Sequence, residues 1–384
     1  MRVDAPTQFA IVGAGPAGLY MAYRLKCRMP NAVVCVYEQN TADATFGFGV
    51  VFSDQALAFL KVDDPQTAAA ITPHMTTWQN MCLNHRGETI TLDGIGFSAI
   101  GRLQLLQLLQ RRATQAGAKL YYGVPIESLE MLDWAHLVIG ADGLNSVVRQ
   151  AHVREFETSI SYFSNKFIWY GTPQTFDTLT QTFVDTAWGP FNAHHYRYAE
   201  DCSTFIVECD PETWQRAGFS HMSEVAARQQ CQAIFAEILG GHRLIDNKSA
   251  WSQFPKLWND TWSVANRVLI GDALHTAHFS IGSGTRLAME RFFSDYKFKP
   301  QSTVEMTGNE VIKQAIEVGL GLSVLSAHTV ELELSAGRLV RLDVVGMPII
   351  RRWYVAHRSG KRLTPTAQSF KQFVLDEGKR QSGG

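Results

Sequence analysis

Gln8-Phe-Ala-Ile-Val-Gly13-Ala-Gly15-Pro-Ala-Gly18 is the stretch whose reading decides the fold. An apolar run without alternation enters a glycine, the pattern of a strand buried on both faces, and Pro16 opens an apolar-periodic helix that carries to Arg28. Ala32 to Tyr37 is a second continuous apolar strand, ending at Glu38. Strand, glycine turn, helix and strand ending in an acid make one βαβ unit with a parallel pair. Gly13 permits a tight turn off the strand, Gly15 lets backbone approach a pyrophosphate, and Gly18 lets the helix pack closely on the sheet. Phosphates would then meet unpaired N–H groups and the positive end of the helix. Glu38, 20 residues beyond Gly18, is placed to accept hydrogen bonds from ribose hydroxyls.

Two later turns extend the pattern. Gly140-Ala-Asp142-Gly143 and Gly271-Asp272-Ala-Leu-His275 each follow an apolar strand, and an acid there points into a nucleotide crevice. Ile281-Gly282-Ser-Gly284-Thr285 then opens a helix at Arg286, whose N–H groups suit the electron-rich edge of a flavin ring. Between these turns lie a hairpin over 81–92, a helix from Arg102 closing at Gly117, and strands at 119–122 and 137–140. From about Phe156 to Cys209 aromatic and β-branched runs predict an antiparallel sheet, with strands at Phe167–Tyr170, Gln181–Val184 and Ser203–Val207. A helix is expected over Val225–Leu239 and a strand over Arg267–Gly271.

The 384 residues are 46% hydrophobic and 18% charged, which excludes disordered and fibrous classes and predicts more than one lobe. Thirty-five basic against 36 acidic residues give a net charge of -1, too balanced for a nucleic-acid or anionic-membrane binder. The six cysteines form no C-x-x-C pair and read as reduced thiols. The first residues, MRVDAPTQ, lack a signal-peptide pattern, and a cytoplasmic protein is expected. His194, His195, His275 and His278 lack the carboxylate or cysteine companions of a metal site, so no metal is expected. A histidine on the sheet side of a pocket would instead suit a proton acceptor for a phenol.

Glu38 after the glycine turn, Gly101-Arg102, Asp142-Gly143 and Gly271-Asp272 together resemble the single-component flavin-dependent aromatic hydroxylases, over residues 1 to about 290. Phe46 to Asp54, Phe167 to Gly171 and His278 to Thr285 are most similar to salicylyl-CoA 5-hydroxylases and anthraniloyl-CoA monooxygenases, with indole-hydroxylating tryptophan monooxygenases nearby. The resemblance implies an α/β, Rossmann-like FAD-binding domain (1–75, 95–155 and 262–290) with an inserted antiparallel substrate-binding sheet (76–94 and 156–261). It implies that NAD(P)H reduces FAD and that oxygen, added at the flavin C4a as a hydroperoxide, hydroxylates an aromatic ring. By match, Arg102 would meet the FAD phosphates, Asp272 the ribityl chain, and the Gly49-Val50 backbone the isoalloxazine ring. An aryl-CoA thioester is the leading substrate; an indole or a free aromatic acid is the alternative. No residue is assigned as a nucleophile.

After Glu290 the hydroxylase pattern stops. Asn309 to Gly321, Ser323 to Ser326 and Leu363 to Phe370 look like the effector-binding domain of LysR-type regulators, nearest to those of carbon-fixation operons. Gly282 to Glu290 satisfies both families, so residues 291–384 are expected to be an incomplete α/β, periplasmic-binding-protein-like fragment joined at a seam. A helix over 309–318, strands over 320–326 and 349–357, a last helix capped by Thr364, and a solvated basic cluster at Arg351, Arg352, Arg358, Lys361 and Arg362 are predicted. The chain shows no helix-turn-helix, which counts against a DNA-binding regulator, although a regulatory flavoprotein or an inactive chimera stays open.

Overall fold

Strand β1 (Gln8–Val12) is apolar on both sides because it lies mid-sheet with packing above and below. The computed structural model describes residues 6–45, 47–92, 96–276, 312–313, 316–317, 319, 321–325, 330–344 and 347. Phe9 and Ile11 pack with α1 (Pro16–Arg28) and α4 (Arg102–Gln115), whereas Ala10 and Val12 face a cluster of Ile126, Leu132, Val148, Phe156 and Leu269. Helix α1 starts at a proline, ends with Lys26 and Arg28 against its carbonyl end, and buries Gly18, Leu19, Ala22 and Tyr23. The sheet has six strands in the order β15 (Ser263–Val264), β16 (Arg267–Leu269), β9 (Leu137–Gly140), β1, β2 (Val33–Glu38) and β8 (Lys119–Tyr122). All neighbours are parallel except the β15/β16 hairpin.

A second sheet runs β14 (Ser252–Asn259), β10 (Thr158–Thr172), β13 (Cys202–Cys209), β12 (Gly189–Ala199), β11 (Leu179–Thr186), β5 (Met81–His85) and β6 (Glu88–Leu92). It is antiparallel except where β5 joins β11 in parallel. Helices α6 (Pro211–Arg216), α7 (Glu224–Ile234) and α8 (Ala236–Leu239) cover one face, over Ile168, Tyr170, Phe191, Ala193, Phe205 and Val207. A third sheet of β3 (Gly49–Ser53), β7 (Phe97–Gly101) and β4 (Thr76–Trp78) was not foreseen. Helices α2 (Asp54–Asp63), α3 (Pro65–Ile71) and the short α5 (Val147–Gln150) were not read from the sequence either.

Two expectations change. The helix over Val225–Leu239 is broken at Phe235, whose backbone (φ −106°, ψ 24°) leaves the helical region between α7 and α8. The break seats the buried Phe235 ring 5.4 Å from Phe205, edge to face, so core packing overrides helix continuation. Residues 321–325 form no strand, and Leu322 stands 81% exposed. An apolar run needs a neighbouring strand to become one, and none among the described residues pairs with it. At residues 312, 313, 316 and 317 the backbone is helical, as expected for 309–318.

The chain divides into two compact units, Met1–Ser283 with Gln301–Ser323, and Gly284–Pro300 with Val324–Gly384. In the first, Ile312 packs against Trp78, Met81, Leu83, Leu179 and Tyr196. In the second, the described residues hold α9 (Glu331–Ser335) and expose Leu332, Val340, Leu342 and Val344. The expected elements at 349–357 and after Thr364, and the basic cluster, lie outside the described residues. Among the described residues no helix is long and apolar enough to cross a membrane.

Candidate cofactor and substrate site

The glycine turn leaves β1 with Gly13 at φ +99°, where a Cβ would meet the Ala141 carbonyl oxygen at 2.4 Å. A Cβ on Gly18 would stand 2.0 Å from the Gly13 carbonyl oxygen. Both glycines are therefore demanded by the fold itself. Gly15 differs: it precedes α1 in extended conformation, and nothing lies within 4 Å of its Cβ position. Its missing side chain leaves open space at a helix start, where a pyrophosphate would be cradled.

Glu38 closes the loop from the tip of β2. Its Oε2 accepts from Ala14 N at 2.9 Å, and its Oε1 accepts from Asn40 N at 2.9 Å and Asn40 Nδ2 at 2.7 Å. A carboxylate has about four acceptor positions, so this arrangement retains capacity for ribose hydroxyls.

Asp142 follows β9. Its Oδ2 accepts from Val147 N at 2.7 Å, while the buried Oδ1 has no hydrogen-bond partner. Burial pushes the Asp142 carboxyl up, opposed by hydrogen bonds from Ser146 and the backbone of residues 147 and 148. A buried acceptor left unmatched in the protein suits a ligand hydroxyl. Gly143 turns at φ +75° with nothing within 4 Å of its Cβ position.

Asp272 follows β16. Desolvation by surrounding protein raises its carboxyl, opposed by Arg102 and His275, so Arg102 and Asp272 share one electrostatic neighbourhood. The Arg102 backbone N–H, at the start of α4, donates to Phe48 O at 2.8 Å. Arg149, which the sequence reading missed, is 2% exposed; its guanidinium donates to Ala273 O at 2.9 Å and to Leu144 O. It thus ties the Asp142 turn to the Asp272 turn, and its only signal was a cation shortly after Asp142-Gly143.

Gly49 lies against the second sheet. Its N–H donates to Thr204 Oγ1 at 3.0 Å, its carbonyl accepts from Tyr196 Oη at 3.0 Å, and a Cβ there would meet Tyr198 Cβ at 2.7 Å. Val50, next along β3, pairs with Ile100 and is half-buried. His194 and His195 point to opposite faces of β12. His195 is sandwiched by Phe176 and Phe205, meets Thr182 Oγ1 at 2.9 Å, and is pushed down to about 3 by burial and then by His194. It is a neutral core group. His275 Nδ1 lies 3.2 Å from Leu257 O. The 163–170 run divides likewise, with Ile168 and Tyr170 in the helix-covered core and Phe167 and Trp169 half-buried on the other face. Gly282, Gly284, Thr285 and His278 lie outside the described residues. Among the described residues no cluster of three or more His, Cys, Asp or Glu is placed to hold a metal.

Comparison with known proteins divides the chain. Salicyloyl-CoA 5-hydroxylase of a Streptomyces species is 39% identical over 289 residues, covering 73% of this chain and 56% of that one. The 3-hydroxy-4-methyl-anthranilyl-(aryl-carrier protein) 5-monooxygenase of Streptosporangium sibiricum is 35% identical over 278 residues, covering 72% of this chain and 75% of that one. Crystalline p-nitrophenol 4-monooxygenase of Pseudomonas putida shares the fold, with a TM-score of 0.58 at 15% identity over 71% of this chain and 74% of that one. Residues 273–379 match the LysR substrate binding domain. The RuBisCO operon transcriptional regulator of Allochromatium vinosum is 57% identical over 99 residues, 26% of this chain and 33% of that one. The chain thus spans little more than half of the Streptomyces hydroxylase and a third of the regulator. An alignment covering 73% of 384 residues necessarily runs past residue 273, so the two matches overlap. Both resemblances read from the sequence hold, and through its larger, N-terminal part the chain belongs to the family of flavin-dependent aromatic monooxygenases.

Proposed function

We propose that this chain is an FAD-dependent monooxygenase module that hydroxylates the ring of an aryl-CoA thioester such as salicylyl-CoA or anthraniloyl-CoA. In the balanced reaction, substrate, O2, NAD(P)H and a proton give hydroxylated product, water and NAD(P)+. Bound FAD supplies the redox chemistry that links the nicotinamide to oxygen. The chain binds, orients and desolvates: Gly13, Gly15, Gly18 and Glu38 take the adenylate half and Arg102 the phosphates. Asp142, Gly143 and Asp272 take the ribityl and ribose hydroxyls, and the Gly49-Val50 backbone lies beside the ring system. Gly282, Gly284 and Thr285 complete the flavin edge. The FAD domain comprises 1–75, 95–155 and 262–290, the substrate sheet 76–94 and 156–261, and the regulator-like fragment 291–384; we place the protein in the cytoplasm.

The observation that carries this assignment is the contrast among the three glycines: two are forbidden a Cβ by the backbone, and Gly15 faces open space beside the Glu38-bound loop. The carrier-linked substrate follows from two relatives whose names specify CoA or an aryl-carrier protein. FAD retention after purification, and NAD(P)H consumption with product mass for salicylyl-CoA, anthraniloyl-CoA, their free acids and indoles, test it. Preference for a free acid or an indole would remove the CoA assignment and leave the fold untouched. The match of residues 273–379 to a LysR ligand-binding domain favours a second reading, a regulatory flavoprotein. NAD(P)H oxidation that no aromatic compound stimulates would favour it.

A further inference from the structure

Ile312 comes from the part of the chain that matches the LysR substrate binding domain, yet it is packed into the monooxygenase part. It belongs to the same compact unit and lies against the cluster of Trp78, Met81, Leu83, Ala99, Leu179 and Tyr196. That cluster is a junction: β4 and β7 of the third sheet supply Trp78 and Ala99, and β5, β11 and β12 of the second supply the rest. The Tyr196 hydroxyl donates to Gly49 O at 3.0 Å. Ile312 therefore shares a cluster with the side chain that holds the backbone proposed to flank the flavin. Lys313, the next residue, is 6% exposed, so this piece of backbone does not lie on the surface.

The seat is a displaceable one. Ile312 is only half-buried, and an aliphatic contact has no directional bond that a rival must reproduce. An aromatic ring is a suitable rival, because it brings more apolar area to the same wall. Resting on the function proposed above, we infer that the aryl ring binds at the junction of the second and third sheets, and that the Ile312 segment docks there in its place. The two occupants exclude each other. Aryl thioester then binds only molecules whose segment is unseated, and its apparent dissociation constant rises by the inverse of that fraction. By linkage, bound thioester drives the segment off to the same extent.

The test uses the full chain loaded with FAD and follows hydrogen exchange over residues 76–84 and 309–318, with β1 and α1 as controls for global unfolding. In Ile312→Asp without thioester, exchange over 76–84 should rise about tenfold while the controls keep parental rates. Unchanged exchange there would overturn the docking, whatever reaction the protein performs. In the parent, salicylyl-CoA should speed exchange over 309–318 about tenfold. Unchanged or slower exchange would show that ring and segment bind together, and would overturn the exclusion. Read from the change in flavin absorbance, Ile312→Asp should bind salicylyl-CoA about tenfold more tightly than the parent. Equal or weaker binding would overturn it as well. Should the aspartate unfold the chain, Ile312→Ala, which favours the local helix and removes most of the side chain, should show the same changes at smaller size. A flavin that responds to no aryl thioester, with 76–84 still deprotected in Ile312→Asp, would sink the functional proposal and leave the docking standing.

Discussion

Gly271 rests on Ala17: it holds φ +60°, and a Cβ added there would come within 2.9 Å of the Ala17 Cβ. This contact lays the exit of β16 across the first turn of α1 and fixes the Asp272 turn to the glycine loop. Gly271→Ala should cost about 1–2 kcal/mol of backbone strain and displace Asp272. Thermal unfolding and FAD affinity, measured together, should both fall; a variant with parental values in both would mean that the two turns are not mechanically linked.

Substitutions at the three glycines of the first turn should separate fold from ligand. Gly18→Ala drives a Cβ into the Gly13 carbonyl and should lower the melting temperature severely, beyond the about 1–3 kcal/mol usual for overpacking. Gly15→Val meets no protein atom in its first carbon and should leave the apo protein near parental stability while blocking FAD. Retention of FAD by Gly15→Val would contradict the proposed pyrophosphate site.

Glu38→Ala removes the acceptor of Ala14 N and Asn40 N. The expected loss is about 1.5–3 kcal/mol, the range for hydrogen bonds to a charged group, appearing as weaker FAD binding and a looser glycine loop. Equilibrium dialysis of FAD and amide exchange at Ala14 check it.

Acid stability should carry opposing contributions from two buried groups. His195 has its pKa pushed from 6.5 to about 3, so below pH 6.5 the unfolded chain takes a proton that the folded one refuses. Stability is lost as pH falls, by about 2 kcal/mol between pH 7 and pH 5 from this residue alone. His195→Phe, which keeps the stack on Phe205, should flatten that slope. Asp142 has its carboxyl raised above 3.8, so its contribution declines as pH rises from the ordinary carboxylate range through the folded value. Asp142→Asn should remove that decline. Unfolding midpoints from pH 3 to 8 for parent and both variants decide the signs.

The regulator-like segment should limit the protein. Leu332, Val340, Leu342 and Val344 are exposed within the second unit, and each large apolar side chain left bare forgoes about 1.5–3 kcal/mol of burial. Weak FAD retention, binding of an apolar dye and poor coupling of NAD(P)H use to hydroxylation are expected. Replacing residues 291–384 with the corresponding region of an intact hydroxylase should improve all three. Tight FAD, a cooperative melt and good coupling in the chain as it stands would show the fragment to be a competent lobe.

The sequence by itself determined the βαβ start, the tasks of Gly13 and Gly18, and the change of ancestry near residue 290. These are legible because steric need at a tight turn, apolar periodicity and fixed spacing are local properties of the chain. The opposite orientations of His194 and His195 follow from the two-residue period of β12, a strand that the reading of the sequence did not place. Only the tertiary structure decided which face α6–α8 would cover, and therefore that His195 is core while His194 joins Glu208. The same holds for Arg149 bridging Leu144 to Ala273, for Gly49 held between Tyr196 and Thr204, and for the break at Phe235. Each joins residues distant in the chain or answers a partner across the core, and no local pattern specifies a partner that only folding brings near.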